Sequence, residues 1–139
     1  MSAALVDAGP LVAVFGRDEP EGPRYRALFK RAADELWSLA TTWPCVVEAS
    51  HLLDAPQRCT LLRWIAAGAL PVFPFAVEQL EGMVELMRRY TESPRSEMDL
   101  ADASLVATAE RLDLARIFTL DHHFRVYRRK DTGVFDIVP

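Results

Sequence analysis

"SAALVDAGPLVAVF", residues 2–15, is an apolar run that stops at Asp7, meets Gly9-Pro10 and turns apolar again. A short apolar run bounded by such signals is the pattern of a buried strand, and here it predicts a strand feeding a loop and then a helix. The same theme recurs downstream. "EGPRYRALFKRAADEL" puts Tyr25, Leu28, Phe29, Ala32 and Ala33 at helical spacing. "LWSLATT" reads as a short strand whose last residue, Thr42, offers a capping hydroxyl to a helix with Pro44 in its first turn, continuing through "CVVEASHLL".

A further helix is predicted over "QRCTLLRWIAAG", ending near Gly68, and "LPVFPF" is a strand whose prolines confine it to a short or edge position. "AVEQLEGMVELMRRYTE" repeats apolar residues at Val77, Leu80, Met83, Val84 and Met87, and "SPRSE" closes that helix as a loop. "MDLADASLVATAERL" opens the next helix, "ARIFTLD" is a strand ending in Asp121, and "GVFDIVP" is a final strand. Strands and helices thus alternate almost throughout, which argues an α/β fold with a mainly parallel central sheet covered by helices on both faces.

The length of 139 residues fits one domain spanning 1–139. Half the residues are hydrophobic and about a quarter charged, the profile of a soluble globular protein. Asp7 interrupts the N-terminal apolar run and no basic segment precedes it, so neither a signal peptide nor a membrane span is expected, and a cytoplasmic location follows by default. Cys45 and Cys59 lack metal-site spacing and read as reduced packing residues. Trp37, Trp43 and Trp64 read as core or interface aromatics. The net charge of −4 excludes a protein that coats nucleic acid with its whole surface, so any such contact is local. The basic residues are almost all arginine, and "FRVYRRK" (124–130) is either a solvated surface or a phosphate-contacting run through Arg125, Arg128 and Arg129.

The acids matter by position. Ligands of open parallel sheets bind beyond the carboxyl ends of the strands. Asp7 and Asp121 directly follow strands, while Glu48 and Asp102 sit early in helices whose side chains lean back toward that edge. Taken singly, Asp7 fits a turn residue and Asp121 a cap for "HHF", whereas Glu48 is a lone acid on an apolar helical stretch. Together, four carboxylates converging need positive compensation. With no Cys or His at ligand spacing, an oxygen-only set favours Mg²⁺ or Mn²⁺, and a phosphodiester is the natural substrate. His51, His122 and His123 carry weaker signals and none is assigned as a base.

These residues resemble the PIN domain family, and within it the VapC-like toxins of bacterial toxin–antitoxin pairs. The resemblance rests on "LVDAGPLVA", "TTWPCVVEASHLL", "MDLADASLVATAERL" and "IFTLDHHFRVYR", in that order, and spans nearly the whole chain. It implies a three-layer α/β/α sandwich, a metal-dependent endoribonuclease acting on RNA, a homodimer, and a small cognate antitoxin as partner. It carries the family's acids onto Asp7, Glu48, Asp102 and Asp121 as catalytic and metal-binding residues, Asp7 and Asp102 the firmest ligands, with Thr119 at a position that commonly bears a hydroxyl. Asp99 is left as helix cap or supporting partner.

Three rival readings remain in view. A haloacid-dehalogenase-like phosphatase needs a second aspartate where Gly9 stands, and a receiver-like magnesium-binding signalling domain needs a lysine at the end of a late strand, whereas Lys130 precedes the last one. The third is a PIN-fold binding module without catalysis.

Overall fold

The computed structural model describes residues 2–91 and 96–138. Residues 92–95, where the sequence places the end of one helix and most of the "SPRSE" loop, lie outside the described residues. The elements are β1 (Ala3–Val6), α1 (Ala8–Phe15), α2 (Gly22–Asp34), β2 (Ser38–Thr42), α3 (Trp43–Leu52), α4 (Ala55–Ala66), β3 (Val72–Phe73), α5 (Leu80–Tyr90), α6 (Leu100–Leu112), β4 (Arg116–Phe118) and β5 (Asp136–Val138). Short 3-10 turns cover Val77–Gln79 and His122–Arg125. Helices flank a five-stranded sheet of order β3-β2-β1-β4-β5, every pairing parallel, in a three-layer α/β/α arrangement.

This order puts β1 at the centre and moves the chain outward first to β2 and β3, then across to β4 and β5. The direction therefore reverses between β1 and β4, the switch point at which open α/β sheets leave a crevice. The order also differs from the 2-1-3-4-5 arrangement of receiver-like folds, which removes that rival. β1 is almost fully buried, as its apolar sequence requires of a central parallel strand.

Several local expectations shift. Gly9-Pro10 is not a loop, because α1 starts at Ala8 directly after Asp7. Proline is harmless there, since the first turn of a helix leaves its N–H groups unpaired anyway. The same logic starts α4 at Ala55, with Pro56 in its first turn, rather than at Gln57. Thr42 stands at the cap position of α3 but does not cap it; its hydroxyl pairs with the Ser104 hydroxyl of α6 at 2.7 Å. Leu36 takes a left-handed φ of 57°, which turns the chain and shortens the second strand to Ser38–Thr42. Cys45 is buried as expected, whereas Cys59 is exposed and packs no core. Trp37 and Trp64 pack against the core, but Trp43 stands half exposed.

α6 is the element that most shapes the interior. Its residues 101–106 are all buried, so it presents no solvent face in that stretch, and Ala101, Ala103 and Ala109 let it approach the sheet closely. It packs against α3, α5 and β2. That burial takes Asp102 and Ser104 into the interior with it. Among the described residues no helix is long and apolar enough to cross a membrane.

Candidate active site

Asp7 is the first residue beyond β1, and the start of α1 fixes it. Its Oδ1 accepts the Ala8 N–H at 2.7 Å, its Oδ2 accepts the Thr119 hydroxyl at 2.7 Å, and its own N–H donates to the Phe118 carbonyl at 2.9 Å. The Thr119 hydroxyl oxygen in turn accepts the Asp121 N–H at 2.9 Å. One threonine thereby ties the ends of β1 and β4 together across the switch point. Asp121 caps the following 3-10 turn, its Oδ1 taking the His123 N–H at 2.9 Å and lying 2.8 Å from His123 Nδ1.

Asp102 enters from α6. Its N–H donates to Asp99 Oδ1 at 2.8 Å, and the Asp99 N–H reaches back toward Asp102 Oδ2 at 3.5 Å, a capping box built of two aspartates. The Tyr127 hydroxyl donates to the same Oδ2 at 3.3 Å. Glu48 is half buried on α3 and its carboxylate has no hydrogen-bond partner among the described residues.

These side chains line one cleft of about 460 Å³, bounded by Asp7, Glu48, Glu97, Asp99, Asp102, Asp121 and His123, with Gly9, Leu52 and Leu120 between them. No Lys or Arg is among the described residues that line it. The electrostatic cost is visible in the acids. Burial, partly offset by the Thr119 hydroxyl and the Ala8 N–H, raises Asp7 to about 6, with the charges of Asp121 and Asp99 adding to it. Burial and the charges of Asp99, Asp7 and Asp121 push Asp102 up to about 8. Glu48 is raised by burial and then by Asp99, Asp7 and Asp121. Burial and the nearby Asp102 raise the Tyr127 phenol, so it stays a donor.

Such a set of hard oxygen donors, repelling one another beside buried backbone, suits a divalent cation of the Mg²⁺ or Mn²⁺ kind. Asp7, Glu48, Asp102 and Asp121 are the side chains that would hold it. Among the described residues no three His, Cys, Asp or Glu side chains are arranged to hold an ion as they stand.

Of the residues singled out in the sequence, Asp7, Glu48, Asp99, Asp102 and Asp121 are brought to this cleft, and Thr119 lies beneath it through its bond to Asp7. The arginines part company. Arg128 Nη1 donates to the carbonyls of Arg125, Val126 and Tyr127 and so serves the local turn, Arg129 Nη1 pairs with Asp113 at the C-terminal end of α6 at 3.4 Å, and Arg125 is exposed beside the cleft wall. Glu97, His123 and Tyr127 are the site residues that sequence reasoning did not assign. His123 had its neighbour Asp121 as a signal, whereas nothing in the sequence links Tyr127 to Asp102 twenty-five positions earlier.

A family model for the PIN domain matches residues 4–130. Among solved structures, the Mycobacterium tuberculosis toxin VapC20, described as cleaving the sarcin-ricin loop, superposes with a TM-score of 0.75 at 15% identity, covering 99% of this chain and 100% of that one. That likeness is one of fold. No curated protein matches the sequence.

Proposed function

The chain belongs to the PIN domain family, and from that membership together with the acid cleft we propose that it is a metal-dependent endoribonuclease, the toxin of a toxin–antitoxin pair. The observation that carries the proposal is the group of carboxylates at the β1/β4 switch point, two of them with pKa values raised to about 6 and about 8. Buried acids with raised pKa and no basic partner are costly to a fold and are found where chemistry needs them. The fold likeness to a sarcin-ricin loop cleaving toxin supports RNA as the substrate class.

Bound Mg²⁺ or Mn²⁺ would polarise a phosphoryl oxygen and make water more acidic near neutral pH. Asp7 and Asp102 would be its firmest ligands, and Asp121, steadied by His123, would complete the negative wall. Glu48 faces the same ion from α3, and its carboxylate, raised in pKa and without a hydrogen-bond partner among the described residues, would take the proton of the attacking water at the oxygen turned away from the ion. Thr119 keeps the Asp7 carboxylate aimed and ionisable by donating to Oδ2. The same reading gives the protein a cytoplasmic setting, a small antitoxin as inhibitor, and a second copy of itself as partner.

The test is incubation of the purified protein with total RNA, with and without Mg²⁺ or Mn²⁺, beside Asp7→Asn. Fragments are expected only from the wild type with metal; equal cleavage by the variant overturns the assignment.

A further inference from the structure

We infer that the notch between α2 and the 3-10 turn after β4 is a phosphate subsite for the RNA strand whose reacting bond lies in the acid cleft. This rests on the nuclease reading above. The notch, about 170 Å³, is lined by Arg24, Thr119, Leu120, Asp121, His122, Arg125 and Ile137. It shares Leu120 and Asp121 with the acid cleft, so a strand leaving the cleft past those residues meets it next.

Two guanidiniums from distant parts of the chain face this one cavity. Arg125 is exposed and, unlike Arg128 and Arg129, its side chain is without a hydrogen-bond or ion-pair partner among the described residues. Arg24 is delivered by its neighbour: the fully buried Tyr25 donates its hydroxyl to the Thr119 carbonyl at 3.1 Å, which pins α2 against the end of β4. The Arg24 guanidinium rests over the Tyr25 ring at 5.1 Å and pairs with Glu21 at 2.7 Å, a half-exposed contact weak enough to be exchanged. His122 adds a ring N–H at the rim.

Arginine forks suit phosphate oxygens, and the pair stands immediately beside carboxylates that would otherwise repel an incoming polyanion. The notch therefore offsets that repulsion on one side of the reacting bond.

The experiment measures binding of a short fluorescent single-stranded RNA to the full chain carrying Asp102→Asn, with Mg²⁺ present, across a salt series. Arg24→Gln and Arg125→Gln should each lower the slope of log K against log salt by about 0.7, one phosphate contact on a single strand, and weaken binding several-fold at low salt. Arg125→Lys should keep the slope, and Arg128→Gln should leave it unchanged. If the wild type cleaves RNA while both glutamine variants keep the full slope, the subsite is wrong and the nuclease reading stands. If the wild type neither binds nor cleaves RNA, both fall together.

Discussion

Asp7 and Asp102 are the carboxylates that this fold buries among the described residues, and their ionisation works against it. A carboxyl whose pKa is higher in the folded than in the unfolded chain is neutral in both states below about pH 4, so it costs nothing there. As pH rises the unfolded chain gives up its proton first, and stability falls until the folded pKa is passed: about 6 for Asp7 and about 8 for Asp102. The Asp7 shift from 3.8 to about 6 corresponds to roughly 3 kcal/mol. The metal-free protein should therefore melt at progressively lower temperature between about pH 4 and about pH 8, and Asp102→Asn should flatten the upper part of that decline. A melting temperature that climbs over this range in the wild type would contradict the assignment. The acids themselves were legible in the sequence because each stands at a place that local pattern defines: directly after an apolar strand, or in the first turns of a helix. The depth of their burial was not, since it comes from α6 being enclosed over residues 101–106, which no local pattern states.

At the scale of elements, the start of α6 separates capping from chemistry. Asp99 satisfies the Asp102 N–H, and its charge raises the pKa of Asp102. Asp99→Asn keeps a good cap and removes the charge, whereas Asp99→Ala removes both; their difference in urea denaturation should be about 1 kcal/mol in favour of asparagine. The turn after β4 does a second job. It carries His123 to Asp121 and Tyr127 to Asp102, with the two rings stacked at 6.4 Å and Tyr127 packed edge-on against Tyr90 and Phe124. Tyr127→Phe leaves that packing and deletes one hydroxyl, so Mn²⁺ affinity measured by titration should drop roughly tenfold with little change in far-UV signal. Undiminished affinity would make Tyr127 a packing residue only. Such pairings escape sequence reading because they depend on how a turn folds back over a distant helix. The prolines illustrate the reverse: Pro10, Pro44 and Pro56 all sit in first turns, so the local preference of proline that marks the start of α3 marks the starts of α1 and α4 as well.

For the whole molecule, the parallel sheet followed from the alternation of elements, but the order β3-β2-β1-β4-β5 did not, because periodicity describes each strand alone and says nothing of its neighbours. That order builds the site on which the proposed function rests: it sets the ends of β1 and β4 side by side, lets Thr119 bridge them, and opens the cleft where α3 and α6 deliver their acids. A fold that stores repulsion in its site should be relieved by the ion that site suits. Mg²⁺ or Mn²⁺ is thus expected to raise the melting temperature, and to raise it more at about pH 8 than at about pH 5, where protons compete for the same oxygens. The most direct test of the central claim joins stability to activity in one variant. RNA cleavage with Mn²⁺ and metal-free melting temperature at about pH 8 should be recorded for Asp102→Asn beside the wild type. The variant is predicted to be folded, more heat-stable than the wild type without metal, and unable to cut RNA. An Asp102→Asn protein that cleaves RNA as fast as the wild type would contradict the account.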